Sequence, residues 1–132
     1  MIVLDASAAL ELLLRAATHE RLVHRLLESG ELLAAPHLLD LEIAQVLRRF
    51  TAAGELSDTR AREALDDYAG LRIARYPHDP LLDRIWQLRH NCTAYDASYL
   101  ALAEELGCPL ITCDKPLAAT PGHRARIELF SS

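Results

Sequence analysis

Two short runs, Ile2-Val3-Leu4 and Leu110-Ile111-Thr112-Cys113, constrain the fold of this chain more than any other feature. Neither alternates apolar with polar residues. That is the pattern of a strand covered on both faces, and such strands belong to parallel sheets with helices packed on either side. Both runs stop at an aspartate, Asp5 and Asp114. In an open parallel sheet, ligands bind beyond the carboxyl ends of the strands, near the point where strand order reverses. If the two strands are neighbours, their aspartates share one rim. Each acid also has an ordinary use, Asp5 capping a helix that begins near Ser7 and Asp114 capping a turn at Pro116. Their recurrence at equivalent strand ends favours a site.

The rest of the chain alternates helices with weaker strands, an α/β pattern. Helices are expected over 7–15, over 18–29 with Thr18 as cap and Gly30 as terminator, and over 37–53, where Leu39, Ile43, Val46, Leu47 and Phe50 fall on one side. Gly54 ends that helix, and Ser57 caps another running to about Tyr68. Asp79-Pro80 reads as an N-cap followed by proline at the first helical position, opening a helix through Leu88. A last long helix is expected over 95–106, closed by Gly107. Weak strands are expected over 32–35, 72–76 and 127–130.

With 132 residues, the chain is read as one domain over 1–132. Apolar residues at 51 % and charged residues at 25 % exclude disordered and fibrous classes. The start has no basic region ahead of an apolar run, and no stretch approaches the ~20 apolar residues of a membrane span. Cys92, Cys108 and Cys113 form no CxxC pair, so neither a disulfide framework nor a zinc site is expected, and a reducing cytoplasm suits the chain. Its net charge of −5 argues against a simple nucleic-acid coat protein but leaves room for acids gathered in one site. All its basic residues are arginine except Lys115, as genome composition or planar phosphate recognition would each produce.

Two more acids interrupt apolar helix faces. Glu42 lies between Leu38 and Val46, where a carboxylate is rarely buried unless it is paired or bound to a cation. Turning outward or meeting Arg49 is its ordinary alternative. Asp40 lies about 160° away on the same wheel and is set aside. Asp96 sits in the first turn of its helix, beside Tyr99, Leu100 and Ala103; interaction with the helix N-terminus is its alternative. Glu104 and Glu105 read as solvated surface. Carboxylates about 4 Å apart repel by roughly 4 kcal/mol per pair at an effective dielectric near 20, so four converging acids need a cation or protons. Oxygen ligands select Mg²⁺ or Mn²⁺, and a divalent ion so held suits phosphodiester hydrolysis.

At these residues the sequence resembles the PIN-domain ribonucleases, and within them the VapC toxins of toxin–antitoxin pairs. The resemblance runs over essentially the whole chain, carried by Ile-Val-Leu-Asp5-Ala-Ser7, Glu42-Ile-Ala-Gln-Val-Leu-Arg48-Arg49, Tyr95-Asp96-Ala-Ser-Tyr-Leu-Ala-Leu-Ala and Leu-Ile-Thr112-Cys-Asp114. It implies a three-layer α/β/α sandwich around a central parallel sheet, and an acidic pocket binding Mg²⁺ or Mn²⁺. It also implies metal-dependent endoribonuclease activity on tRNA or ribosomal RNA, leaving 3′-hydroxyl and 5′-phosphate ends. Asp5 and Asp96 match the family's most consistent metal-binding aspartates. Glu42 and Asp114 match the remaining acids, direct or water-mediated, while Ser7 and Thr112 match hydroxyls that orient them or a bound water. A VapB-type antitoxin and a homodimer are further implications.

Many relatives carry another acid shortly after the fourth position, where this chain has Lys115-Pro116-Leu117, so at most one tight metal site is expected, any second ion needing substrate phosphate. Arg48, Arg49, Arg15, Arg89 and Lys115 are candidates for a basic rim that positions phosphates. Tyr95, Tyr99 and Trp86 sit at spacings that usually mean core or a protein interface, and none of the six histidines has ligand spacing. A catalytically silent PIN-like module is the main competing reading. A receiver-like domain is disfavoured because the second acid lies inside a helix, and a DxD phosphatase because position 7 is serine.

Overall fold

The two apolar runs form the centre of the sheet. In the computed structural model, which describes residues 1–131, the strands are β1 (Ile2–Leu4), β2 (Leu33–Pro36), β3 (Ile73–Tyr76), β4 (Leu110–Thr112) and β5 (Ile127–Leu129). They lie in the order β3-β2-β1-β4-β5, and every neighbouring pair is parallel. The chain steps outward from β1 to β3, then returns to lay β4 on the other side of β1. The switch point therefore falls between the two strands that end in aspartate. Val3 pairs with Leu110 and Leu4 with Ile111, and the Asp5 N–H donates to the Ile111 carbonyl at 3.3 Å. That register sets Asp5 level with Thr112.

The helices are α1 (Ala6–Leu13), α2 (His19–Leu22), α3 (Leu38–Ala52), α4 (Asp58–Ala69), α5 (Leu82–Gln87), α6 (Ala94–Leu106) and α7 (Lys115–Ala118). Right-handed crossovers place α1–α4 on one face of the sheet and α5–α6 on the other, which gives the expected α/β/α layers. The contacts agree, α1 touching α2, α3 and α4 while α5 packs on α6. α6 is buried from Ala97 through Ala103 because it lies across β1, β2 and β4 beneath the cover of α5. One core cluster runs through strands and helices together.

Asp5 takes the capping use open to it, and α1 starts at Ala6, one residue ahead of Ser7. Other local expectations are corrected. The region over 18–29 is four residues of α-helix followed by a π-helical stretch, Val23–Glu28. Thr18 does not cap it; its buried hydroxyl donates to Glu11 Oε1 at 2.6 Å. Asp79-Pro80 opens a single 3₁₀ turn, Asp79–Leu81, with His78 in the cap position, and α5 follows. His78 is used elsewhere too, its Nε2 accepting the Leu38 N–H at 3.0 Å at the start of α3, a service no local side chain performs. Gly107 adopts the left-handed conformation at φ 63° and ends α6 as expected.

Candidate active site

The acids are set in place by ordinary helix and strand chemistry. Asp5 follows β1 in extended conformation and caps α1, so its ordinary use does not bar it from a site. Oδ1 accepts from the Ala8 N–H at 3.0 Å and from Ser7 Oγ at 2.7 Å, while Oδ2 accepts from Thr112 Oγ1 at 2.5 Å. Ser7 and Thr112 are 3.2 Å apart, and each also accepts a backbone N–H, from Cys113 at 2.9 Å and from Asp114 at 3.0 Å respectively. These bonds tie the ends of β1 and β4 together through Asp5. Asp114 likewise caps α7, its Oδ1 accepting the Leu117 N–H at 3.1 Å.

Asp96 enters from the start of α6, where Thr93 is the cap and accepts the Asp96 N–H at 3.1 Å. With Thr93 capping the helix, the half-buried Asp96 side chain is not spent on that duty. Glu42 arrives from α3, and its Oε1 accepts the Tyr99 hydroxyl of α6 at 2.5 Å. It neither turns outward nor meets Arg49. Asp40, set aside on geometry, is bound by the Tyr68 hydroxyl at 2.5 Å and by Arg75 at 2.9 Å.

The charges show which acids share a field. Asp5 is only 4 % exposed. Burial pushes its carboxyl up to about 6, against the hydrogen bonds from Thr112, Ala8 and Ser7, and the Asp114 charge adds to the rise. Burial also raises the Asp96 carboxyl, with Asp114 and then Glu42 contributing. The four acids are thus linked in series, Asp5 to Asp114 to Asp96 to Glu42. Among the described residues, none of them is paired with Lys, Arg or His. Nor, among the described residues, are any three His, Cys, Asp or Glu side chains gathered closely enough to enclose a metal ion. An open, uncompensated set of oxygen acceptors fits Mg²⁺, which retains several waters and takes one or two carboxylates, better than a cation needing a full protein cage.

The basic candidates separate. Arg49 joins Glu42, Gln45, Leu41 and Tyr95 in lining a groove of about 360 Å³, of which Glu42 is the one candidate acid. Lys115 lines a cleft of about 360 Å³ on the Asp114 side, with Glu11 and Cys113. Arg48 turns into the groove between α3 and α4, and Arg15 lies beyond the far end of α1, near His19 and Asp67. Arg89 stacks 4.7 Å over Trp86 and donates to the Trp86 carbonyl. Of the aromatic residues, Tyr99 is core as expected, whereas Tyr95 and Trp86 are exposed. Glu104 corrects the reading of it as solvated surface. Its side chain is 9 % exposed, held by Arg84 at 2.7 Å, and accepts the Arg124 N–H at 2.6 Å. Tyr99 was not foreseen as a partner of Glu42, since nothing local in the sequence links α3 to α6.

Fold and site together define a small doubly wound α/β protein with Asp5 and Asp114 at its switch point, unpaired with any cation among the described residues. The PIN domain family model matches residues 2–122. Ribonuclease VapC1 of Mycobacterium tuberculosis is 44% identical over 128 residues, 96% of each chain. The crystal structure of PAE2754 from Pyrobaculum aerophilum is similar with a TM-score of 0.69 at 26% identity, covering 96% of this chain and 82% of that one. In VapBC2 from Rickettsia felis, solved bound to a DNA fragment from its promoter, a chain shares the fold at a TM-score of 0.66 and 13% identity, covering 98% of this chain and 99% of that one. The chain belongs to the PIN domain family, and within it to the VapC ribonucleases. No helix among the described residues is long and apolar enough to cross a membrane.

Proposed function

We propose that this chain is a Mg²⁺-dependent endoribonuclease toxin, with Mn²⁺ able to replace Mg²⁺, neutralised by a cognate VapB-type antitoxin. One observation carries the reading: Asp5 is a buried carboxylate at a parallel switch point, and among the described residues neither it nor Asp114, Asp96 or Glu42 has a cationic partner. Asp5 and Asp96 are assigned to direct coordination, and Glu42 and Asp114 complete the site directly or through water. When bound, the cation would acidify a water and offset charge on a phosphate oxygen.

The chain's own residues do the rest. Thr112 donates to Oδ2 of Asp5 while Ser7 and the Ala8 N–H donate to Oδ1, fixing the carboxylate plane and leaving a lone pair unused on Oδ2. Because each hydroxyl is itself fixed by a backbone N–H, Asp5 cannot rotate to escape repulsion from Asp114. Arg49 lines the groove that holds Glu42 and Lys115 the cleft that holds Asp114, and both suit contacts to phosphates flanking the cleaved bond. The substrate class is tRNA or ribosomal RNA, the setting the cytoplasm, and the working form a homodimer. RNA cleavage by wild type, Asp5→Asn and Asp96→Asn, with Mg²⁺ and in chelator, tests the reading. Activity is expected only for wild type with the ion; activity surviving both substitutions, or persisting fully in chelator, refutes it.

A further inference from the structure

We infer that Tyr99 is a positioning residue that holds the Glu42 carboxylate at the metal site without neutralising it. The inference rests on the reading of Glu42 as part of a cation site. Glu42 belongs to α3 and Tyr99 to α6, helices on opposite faces of the sheet, and the 2.5 Å bond from the Tyr99 hydroxyl to Glu42 Oε1 joins them across the end of the sheet. Tyr99 is 2 % exposed and sits three residues after Asp96, on the same side of α6. One helix turn therefore delivers an acid to the pocket and a hydroxyl to a second acid. Packing alone needs only the ring, which phenylalanine would supply; the buried hydroxyl is the part that requires a partner.

α3 itself provides the contrast. Its other gripped acid, Asp40, also accepts a tyrosine hydroxyl at 2.5 Å, from Tyr68, but Arg75 holds both its oxygens at 3.0 Å. A guanidinium cancels the charge it orients. A phenol is neutral, so it fixes a carboxylate and leaves the full negative charge for a cation. Glu42 has the phenol and, among the described residues, no arginine or lysine partner. The same helix thus carries one carboxylate held as structure and one held ready for a ligand.

The experiment is Mn²⁺ binding to the full chain without RNA, followed by electron paramagnetic resonance of the free ion, with thermal stability measured alongside. Tyr99→Phe is expected to weaken Mn²⁺ binding about tenfold, the usual effect of removing a group that orients a ligand. Tyr68→Phe, which loses the matching bond to Asp40, leaves Mn²⁺ affinity within about twofold of wild type, inside the scatter expected of independent sites. Glu42→Gln weakens binding, and adding Tyr99→Phe to it weakens binding no further. Glu42→Asp keeps the charge but draws it back from the phenol, and weakens binding as much as Tyr99→Phe without altering the tyrosine. Wild-type affinity in Tyr99→Phe, equal losses in the two phenylalanine variants, or full additivity with Glu42→Gln overturns the inference. If wild type binds no Mn²⁺, or Asp5→Asn binds it equally well, the metal-site reading itself fails and the inference with it.

Discussion

Replacing Asp5 by asparagine should make the metal-free protein more stable while abolishing its activity. Asp5 is buried, and its carboxyl rises from 3.8 to about 6 on folding, chiefly through loss of solvation. A rise of about two pKa units corresponds to roughly 3 kcal/mol of lost stability when the group is ionised. Asparagine removes that charge, and its carbonyl can still accept from Ala8 and Ser7. Its amide nitrogen, however, faces Thr112 Oγ1, a donor in the wild-type bond, and that mismatch costs about 1–1.5 kcal/mol. The net gain is about 1–2 kcal/mol, or roughly 3–8 °C in Tm for a chain of this size. Its pH dependence follows from the direction of the shift. A carboxyl with a raised folded pKa binds its proton more tightly in the folded state, so wild-type stability falls as pH rises from about 4 to about 6 and stays low above. The advantage of asparagine is therefore full at pH 7.5 and fades toward pH 4. Thermal unfolding in chelator at both pH values measures it. Mg²⁺ should raise the Tm of wild type and leave that of the variant unchanged. A variant less stable than wild type at pH 7.5 without metal, or a gain equal at both pH values, would refute the electrostatic account.

Other outcomes are equally specific. Arg49→Ala should raise KM for RNA several-fold and reduce the steepness of its salt dependence by about one unit, measured by cleavage at graded ionic strength. Arg84→Ala should lower stability by about 2 kcal/mol, read from denaturant midpoints, because it strips the partner from a nearly buried Glu104. Arg15 follows the C-cap of α1 with φ at 55°, a conformation glycine adopts freely, so Arg15→Gly should raise the Tm by a few degrees. Thr112→Val should weaken Mg²⁺ binding by about tenfold or more, read by calorimetry, since both the donor to Asp5 and the acceptor for Asp114 are lost.

What could be read in the sequence was whatever repeats within a few residues. The unalternating runs before Asp5 and Asp114 gave the central strands, and the ordered acids gave the candidate pocket. The weak stretch over 72–76 could be found because β3 covers most of it. Features made by distant partners were not legible. Tyr99 and Glu42 are 57 positions apart, Arg84 and Glu104 are 20 apart, and His78 supplies the start of α3 from 40 residues downstream. Thr18 misled for the same reason. Its local pattern is a cap, yet burial turned its hydroxyl to Glu11. Local chemistry specifies which side chains can serve as caps and ligands, and the fold decides which partner each one meets.

The central claim, that the acids at the end of β1 and β4 direct water at an RNA phosphodiester with the help of a divalent ion, is tested most directly by the ends of the cleaved RNA. Cleavage of an end-labelled tRNA or ribosomal RNA with Mg²⁺ should yield 5′-phosphate and 3′-hydroxyl termini, with no product for Asp5→Asn. A 2′,3′-cyclic phosphate paired with a 5′-hydroxyl would show that the RNA's own 2′-hydroxyl is the nucleophile, and would contradict the account.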